Sequence, residues 1–310
     1  MFKISNMAVL IILASIFLFS CENSSLMTDT TGEVDTTEEP TEAPTIPWES
    51  VDQSMLGIAF TADDFNDEQF DIIIVAGQSN AVGRGIGEVS DEFIPSERIL
   101  AMEKDLSISY ATEFVNENGK RGEFALSFAR DYVKAGLLKD NRKLLIIRAA
   151  DGSAGFSNKR WGPNDDLYPK MIEMVTKALE LNPGNSIKAL LWHQGETDAL
   201  DAKEYDYYRD NLSDLINSVR ETFNVPDLPF IAGDFVQDWK SVNVEISEPI
   251  IRAIKDIIGT IGNARFVETD ELLSNGQVNG SEDTIHFSRI AAYQLGTRYF
   301  DAYLDIVQHN

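Results

Sequence analysis

From about Phe70 onward, short apolar runs alternate with longer stretches in which apolar residues recur every three or four positions. The runs fall at 72–76, 144–147, 189–192, 230–232 and 265–267. Near-continuous apolarity over so few residues, broken only by Arg265 in the last run, suits strands covered on both faces, as in a parallel sheet. Between them the period lengthens. Tyr205, Tyr208, Leu212, Leu215, Ile216, Val219 and Phe223 form one stripe of an amphipathic helix. Pro169 suits the first turn of a helix running toward Leu181, which Asn182-Pro183-Gly184 ends. Ile250, Ile251, Ile254, Ile257 and Ile258 mark a third helix that closes near Gly259, and a last one is expected over 288–307.

Strand and helix in alternation predict a doubly wound, three-layer α/β/α domain with right-handed crossovers around a mainly parallel five-stranded sheet. Ligands in such folds sit beyond the C-terminal ends of the strands. Motifs at strand ends therefore carry more weight here than motifs elsewhere.

The N-terminal part reads differently. Residues 1–21 carry Lys3 as their only charge, and the thirteen positions 7–19 are almost wholly apolar. That is too short for a mature membrane span and matches the apolar region of a signal peptide. The sole cysteine, Cys21, closes the run after Leu18-Phe19-Ser20 and resembles the lipidated residue of a bacterial lipobox. Residues 1–21 are thus expected to be a leader, with export and lipid anchoring through Cys21 at a bacterial membrane or cell surface. A single cysteine leaves no internal disulfide.

Residues 22–68 contain thirteen acidic residues and no Lys or Arg, about half of the acidic excess behind a net charge of −25. Rich in Thr, Glu, Ser and Pro, this stretch is expected to be a disordered, self-repelling tether. The folded domain would then occupy 69–310. So acidic a chain is a poor nucleic-acid binder.

Three strand ends carry candidate chemistry. The first strand runs into Gly77-Gln78-Ser79-Asn80, the third into Trp192-His193-Gln194-Gly195-Glu196, and Asp283-Thr284-Ile285-His286 precedes the last helix. Acyl transfer needs a nucleophile, a base, an acid that orients the base, and donors for the oxyanion. The chain has three histidines, at 193, 286 and 309, and the last stands beside the C-terminus. His286 has Asp283 three residues upstream, whereas His193 has only Glu196 three residues downstream; this favours His286 as the base. Ser79 lacks the second glycine of Gly-x-Ser-x-Gly and follows the first strand, which argues against an α/β-hydrolase elbow.

With these residues the sequence resembles the SGNH (GDSL-type) hydrolases, and within them the branch of sialate O-acetylesterases and family 6 carbohydrate esterases, the acetylxylan esterases. The resemblance rests on Ala76-Gly77-Gln78-Ser79-Asn80, Trp192-His193-Gln194-Gly195-Glu196 and Asp283-x-x-His286-Phe287-Ser288, with support from Arg148-Ala149-Ala150-Asp151-Gly152-Ser153, Trp161-Gly162 and Leu167-Tyr168. It implies Ser79 as nucleophile, His286 as base and Asp283 as its orienter. The oxyanion donors would be the backbone N–H groups of Ser79 and Gly152 and the side chain of Gln194. Where the family shows Gly-Gly, this chain has Asp151-Gly152. Glu196 is left with two roles, orienting His286 in place of Asp283 or bracing the loop.

The resemblance implies an esterase that removes O-acetyl groups from acetylated glycans or sialic acid through an acetyl-serine, without metal or organic cofactor. Gln78, Arg84 and Trp161 are candidate substrate contacts. An esterase for other short acyl groups shares this chemistry, and a carbohydrate-binding lipoprotein that lost catalysis shares the fold.

Overall fold

The computed structural model describes residues 49–309 apart from Asn66 and Asn118. The leader, Cys21 and residues 22–48 of the expected tether lie outside these residues. Strand β1 (Gln69–Gly77) is buried along almost its whole length. Its alternate side chains feed two separate cores: Ile72, Ile74 and Ala76 join one, Ile73 and Val75 the other. A strand with period-two side chains and apolar residues on both faces must be covered twice, and the rest of the chain does this.

After β1 come a short helix α1 (Ser79–Val82), strands β2 (Ile99–Met102) and β3 (Ile108–Tyr110), and a hairpin of β4 (Phe114–Asn116) and β5 (Gly119–Arg121). Helix α2 (Phe124–Lys134), strand β6 (Arg142–Arg148), helix α3 (Leu167–Glu180) and strand β7 (Ser186–His193) follow. Next are α4 (Glu196–Leu200), α5 (Tyr205–Thr222), β8 (Phe230–Gly233), α6 (Gln237–Val242), α7 (Val244–Thr260) and β9 (Ala264–Val267). Helices α8 (Asn275–Asn279) and α9 (Arg289–Gln308) complete the order. Helices α3, α5 and α7 cover one face of the sheet, α2 and α9 the other.

The main sheet has seven strands in the order β3-β2-β6-β1-β7-β8-β9, parallel throughout except where β3 joins β2. The five expected strands are its contiguous part β6-β1-β7-β8-β9. The other two extend the edge beyond β6. β3 has only three residues, too short for periodicity to distinguish from loop, whereas β2 is an apolar run of four residues, as long as β8, that sequence reasoning passed over.

The tether boundary also moves. Residues 49–68, expected to be disordered, lie against the domain. Phe65 is buried and packs edge-on against Phe70, with ring centroids 5.2 Å apart, while Phe60 meets Tyr110 at 5.0 Å. Val51 N–H donates to Pro95 O at 3.1 Å. The acidic composition is real, but three apolar side chains within it bury enough surface to hold the segment in place.

The winding reverses at β1: the chain builds β2, β3 and β6 on one side, then passes to β7 on the other. In doubly wound sheets such a point leaves a crevice at the carboxyl ends of the neighbouring strands. At this point β1 approaches β7 closely. Gly77 has φ 134°, and a Cβ there would stand 2.1 Å from His193 O. Only glycine allows that crossing.

Candidate active site

Ser79 is the first residue of α1, directly beyond the end of β1. No acceptor is present for its backbone N–H among the described residues. Its Oγ lies 2.9 Å from His286 Nε2, and His286 Nδ1 lies 2.8 Å from Asp283 Oδ1. A hydroxyl, an imidazole and a carboxylate thus stand in one hydrogen-bonded chain. In this order the carboxylate accepts from Nδ1–H, Nε2 keeps its lone pair, and that lone pair faces the hydroxyl proton.

Two asparagines hold this chain in place. Asn80 Nδ2 donates to Glu196 Oε1 (2.8 Å) and to Ile285 O (3.0 Å), and its Oδ1 accepts from Phe287 N–H (3.2 Å). The residue after the nucleophile therefore grips the backbone on both sides of His286. Asn275 Nδ2 donates to Asp283 Oδ2 (2.8 Å) and Arg84 O (3.1 Å), while its Oδ1 accepts from Ile86 N–H (2.9 Å). Both amides are buried. Behind His286, Ser288 caps α9 by accepting from Ala291 N–H, and the buried Arg289 guanidinium grips both oxygens of Glu113 and pairs with Glu92. Sequence reasoning passed over Asn275 altogether and quoted Asn80 only as part of a motif. The position of Asn80 next to Ser79 was the available signal.

The other candidates fall elsewhere. His193 is fully buried, with Nδ1 3.0 Å from Tyr299 OH, whose own proton goes to Trp192 O at 2.7 Å. Burial pushes His193 down to about 3, so it is a neutral core side chain. Glu196 lies 4.0 Å from His193 and touches Asn80, not His286. Of its two possible roles, the contacts are those of a brace. With no cation against it, burial pushes Glu196 up to about 7. His309 is exposed and bonded to Asp305.

Three expectations need correction. Gln194, expected as an oxyanion donor, is buried with both amide protons committed, to Asp198 Oδ2 (2.6 Å) and Gln78 Oε1 (3.2 Å). It has no proton left for a substrate oxygen. Gln78, expected at the substrate, is also buried, and its Oε1 further accepts from Thr197 N–H at 3.1 Å. Trp161 is fully buried, packs on Trp192 at 5.1 Å and donates to Gly77 O at 3.2 Å. These polar and aromatic groups brace the crevice from behind.

The Gly152 N–H is occupied as well, but by a surface partner: it donates to Asp151 Oδ1 at 3.0 Å. That carboxylate also meets Lys104 (3.0 Å) and Arg160 (2.6 Å), which offset its charge and hold it below the usual carboxylate range against the opposing effect of partial burial. An oxyanion at Gly152 would compete with this internal acceptor. Among the described residues no three His, Cys, Asp or Glu side chains converge as metal ligands would.

A doubly wound sheet whose serine follows the first strand, paired with an Asp-x-x-His just ahead of the last helix, is of the SGNH type. More narrowly, residues 69–305 match the family described as "Carbohydrate esterase, sialic acid-specific acetylesterase", and the chain belongs to it. A probable carbohydrate esterase of Arabidopsis thaliana is 31% identical over 179 residues, covering 52% of this chain and 66% of that protein. A probable 9-O-acetyl-N-acetylneuraminic acid deacetylase of Escherichia coli K12 is 23% identical over 197 residues, 56% of this chain and 59% of that one. The alignments thus span under two thirds of either relative. The crystal structure of NanS shares the fold, with TM-score 0.67 at 20% identity over 79% of this chain and 99% of that one.

Proposed function

We propose that the protein is a serine esterase that removes O-acetyl groups from carbohydrates, either an acetylated glycan or an acetylated sialic acid. The reading rests on one observation, the unbroken chain from Ser79 Oγ through His286 to Asp283 at 2.9 and 2.8 Å. Ser79 Oγ attacks the acetyl carbonyl as its proton passes to His286 Nε2. The oxyanion is met by the N–H groups of Ser79 and, once it leaves Asp151, of Gly152. Collapse breaks the bond to the sugar oxygen, which takes the proton back from His286. Water then repeats the sequence on acetyl-Ser79, releasing acetate and restoring the serine. Family membership supports the sugar ester as substrate.

Acyl preference tests the reading. Each methylene that a pocket buries is worth about 0.8 kcal/mol, so a lipase gains steadily with chain length. Here kcat/KM for p-nitrophenyl esters is expected to fall steeply beyond two or three carbons, with acetate released from acetylated xylan or O-acetyl sialic acid. A rate that climbs toward octanoate would overturn it.

We further propose that the protein is exported and anchored through Cys21, on the strength of the apolar stretch at 7–19 and the acidic spacer after it. Cys21→Ser is expected to move the protein from the membrane fraction to the soluble one with its esterase activity unaltered. Wild-type protein found soluble and unlipidated would refute the anchor.

A further inference from the structure

In a chain with 51 acidic and 26 basic residues, an arginine should find a partner easily. The other described arginines all do, through carboxylates, amides or backbone carbonyls. Arg84 is the exception among the described residues: its guanidinium makes no hydrogen bond and no ion pair. It is also half-buried, so part of its hydration is lost with no protein group in return. Such a cation is costly unless something else completes it.

Its backbone is held firmly. The Arg84 carbonyl accepts from Asn275 Nδ2, the same amide that holds Asp283. Gly85 exchanges backbone hydrogen bonds with Gly122 at 3.2 and 2.8 Å, and a Cβ on Gly85 would stand 2.7 Å from Arg289 Cα. The side chain lies over the Gly152 turn, with Nη2 3.4 Å from where a Cβ on Gly152 would stand. Asp151, the acid next to that turn, is engaged with Lys104 and Arg160 instead. A fixed root and a free guanidinium beside a proposed oxyanion donor make a receptor for an anion borne by the substrate.

We infer that Arg84 is a specificity-determining residue that receives the carboxylate of an acidic sugar while Ser79 works on that sugar's acetyl ester. This rests on the esterase reading above. The planar fork of arginine matches a carboxylate with two parallel hydrogen bonds, which an ammonium cannot reproduce. Ulosonic and uronic acids both present this group, so both are tested.

The experiment compares each acid with its methyl ester, which keeps the shape and removes the charge. Calorimetric affinities for N-acetylneuraminic acid, methyl glucuronoside and their methyl esters are measured on wild type, Arg84→Gln and Arg84→Lys. Hydrolysis of the corresponding mono-O-acetylated compounds is measured alongside. Wild type is expected to bind at least one acid about tenfold or more tighter than its ester, and whichever acid does so identifies the source. Arg84→Gln should bring that ratio close to one, mostly through KM, with a loss on the acid well above any loss on p-nitrophenyl acetate. Arg84→Lys should keep part of the ratio. Wild type binding acids and esters equally, or Arg84→Gln keeping the preference, overturns the inference and leaves the esterase untouched. An equal loss on acid, ester and p-nitrophenyl acetate also overturns it, because Arg84 would then serve the oxyanion. Selective binding without acetate release sinks the esterase reading alone.

Discussion

Ser79→Ala is expected to lower turnover by about a millionfold, as loss of the nucleophile does in a serine protease. Without the hydroxyl the proposed acetyl-serine cannot form. His286 would remain in place, held through Ile285 O and Phe287 N–H by Asn80 and through Nδ1 by Asp283. The fold should survive, because the one side-chain hydrogen bond lost is that to His286. Initial rates on p-nitrophenyl acetate, with a thermal melt as control, decide the matter. More than about one per cent residual turnover in a normally folded variant would remove Ser79 from its role.

Asp283→Asn should come next in size, costing on the order of ten-thousand-fold, by analogy with the serine proteases. The local contacts explain why. Asn275 Nδ2 donates to Asp283 Oδ2, so an asparagine at 283 would keep its carbonyl oxygen toward Asn275. Its NH₂ would then face His286 Nδ1 and force the tautomer protonated on Nε2, which cannot accept the serine proton. Glu196→Gln should cost less than about tenfold, since a glutamine still offers Asn80 an acceptor oxygen. It should also alter the pH dependence of stability. Between the ordinary glutamate value of 4.5 and about 7 the folded protein keeps a proton on Glu196 that the unfolded chain releases. Stability therefore falls as pH rises through that window, by up to about 3 kcal/mol. Urea midpoints at pH 5 and 8 should show a smaller drop for Glu196→Gln than for wild type. Equal drops would mean that Glu196 does not hold its proton through that window, and a larger rate loss at 196 than at 283 would hand the orienting role to Glu196.

What the sequence made legible, and what it did not, follows the range of the forces involved. Buried parallel strands announce themselves because neighbouring residues share one environment. The stripe from Tyr205 to Phe223 is visible for the same reason, and α5 (Tyr205–Thr222) lies there. Asp283 and His286 were readable as a pair because three residues separate them. Exposure was not readable. Gln78, Gln194 and Trp161 have the right chemistry at strand ends for substrate contacts, yet all three point inward, a fact set by packing against Gly77, Trp192 and Thr197. Asn275 escaped because its partners Arg84 and Ile86 lie 191 and 189 positions away. An amide side chain in a loop gives no local sign that it ties distant segments together. The phenylalanines at 60 and 65 were lost in an acidic background that dominated the composition around them.

The position of His286 has a consequence for how the protein comes to work during its synthesis. Ser79 and its histidine are 207 positions apart, and the histidine lies just ahead of the final helix. That helix brings Tyr299, Phe300 and Tyr303 into the core beneath α2. A nascent chain that has emerged as far as β9 already contains the nucleophile but no base. Arming the serine and completing the cover that α2 begins over one face of the sheet are then a single late event. An incomplete chain would carry a serine no more reactive than any other, and the proposed hydrolysis would begin only once the last segment had docked.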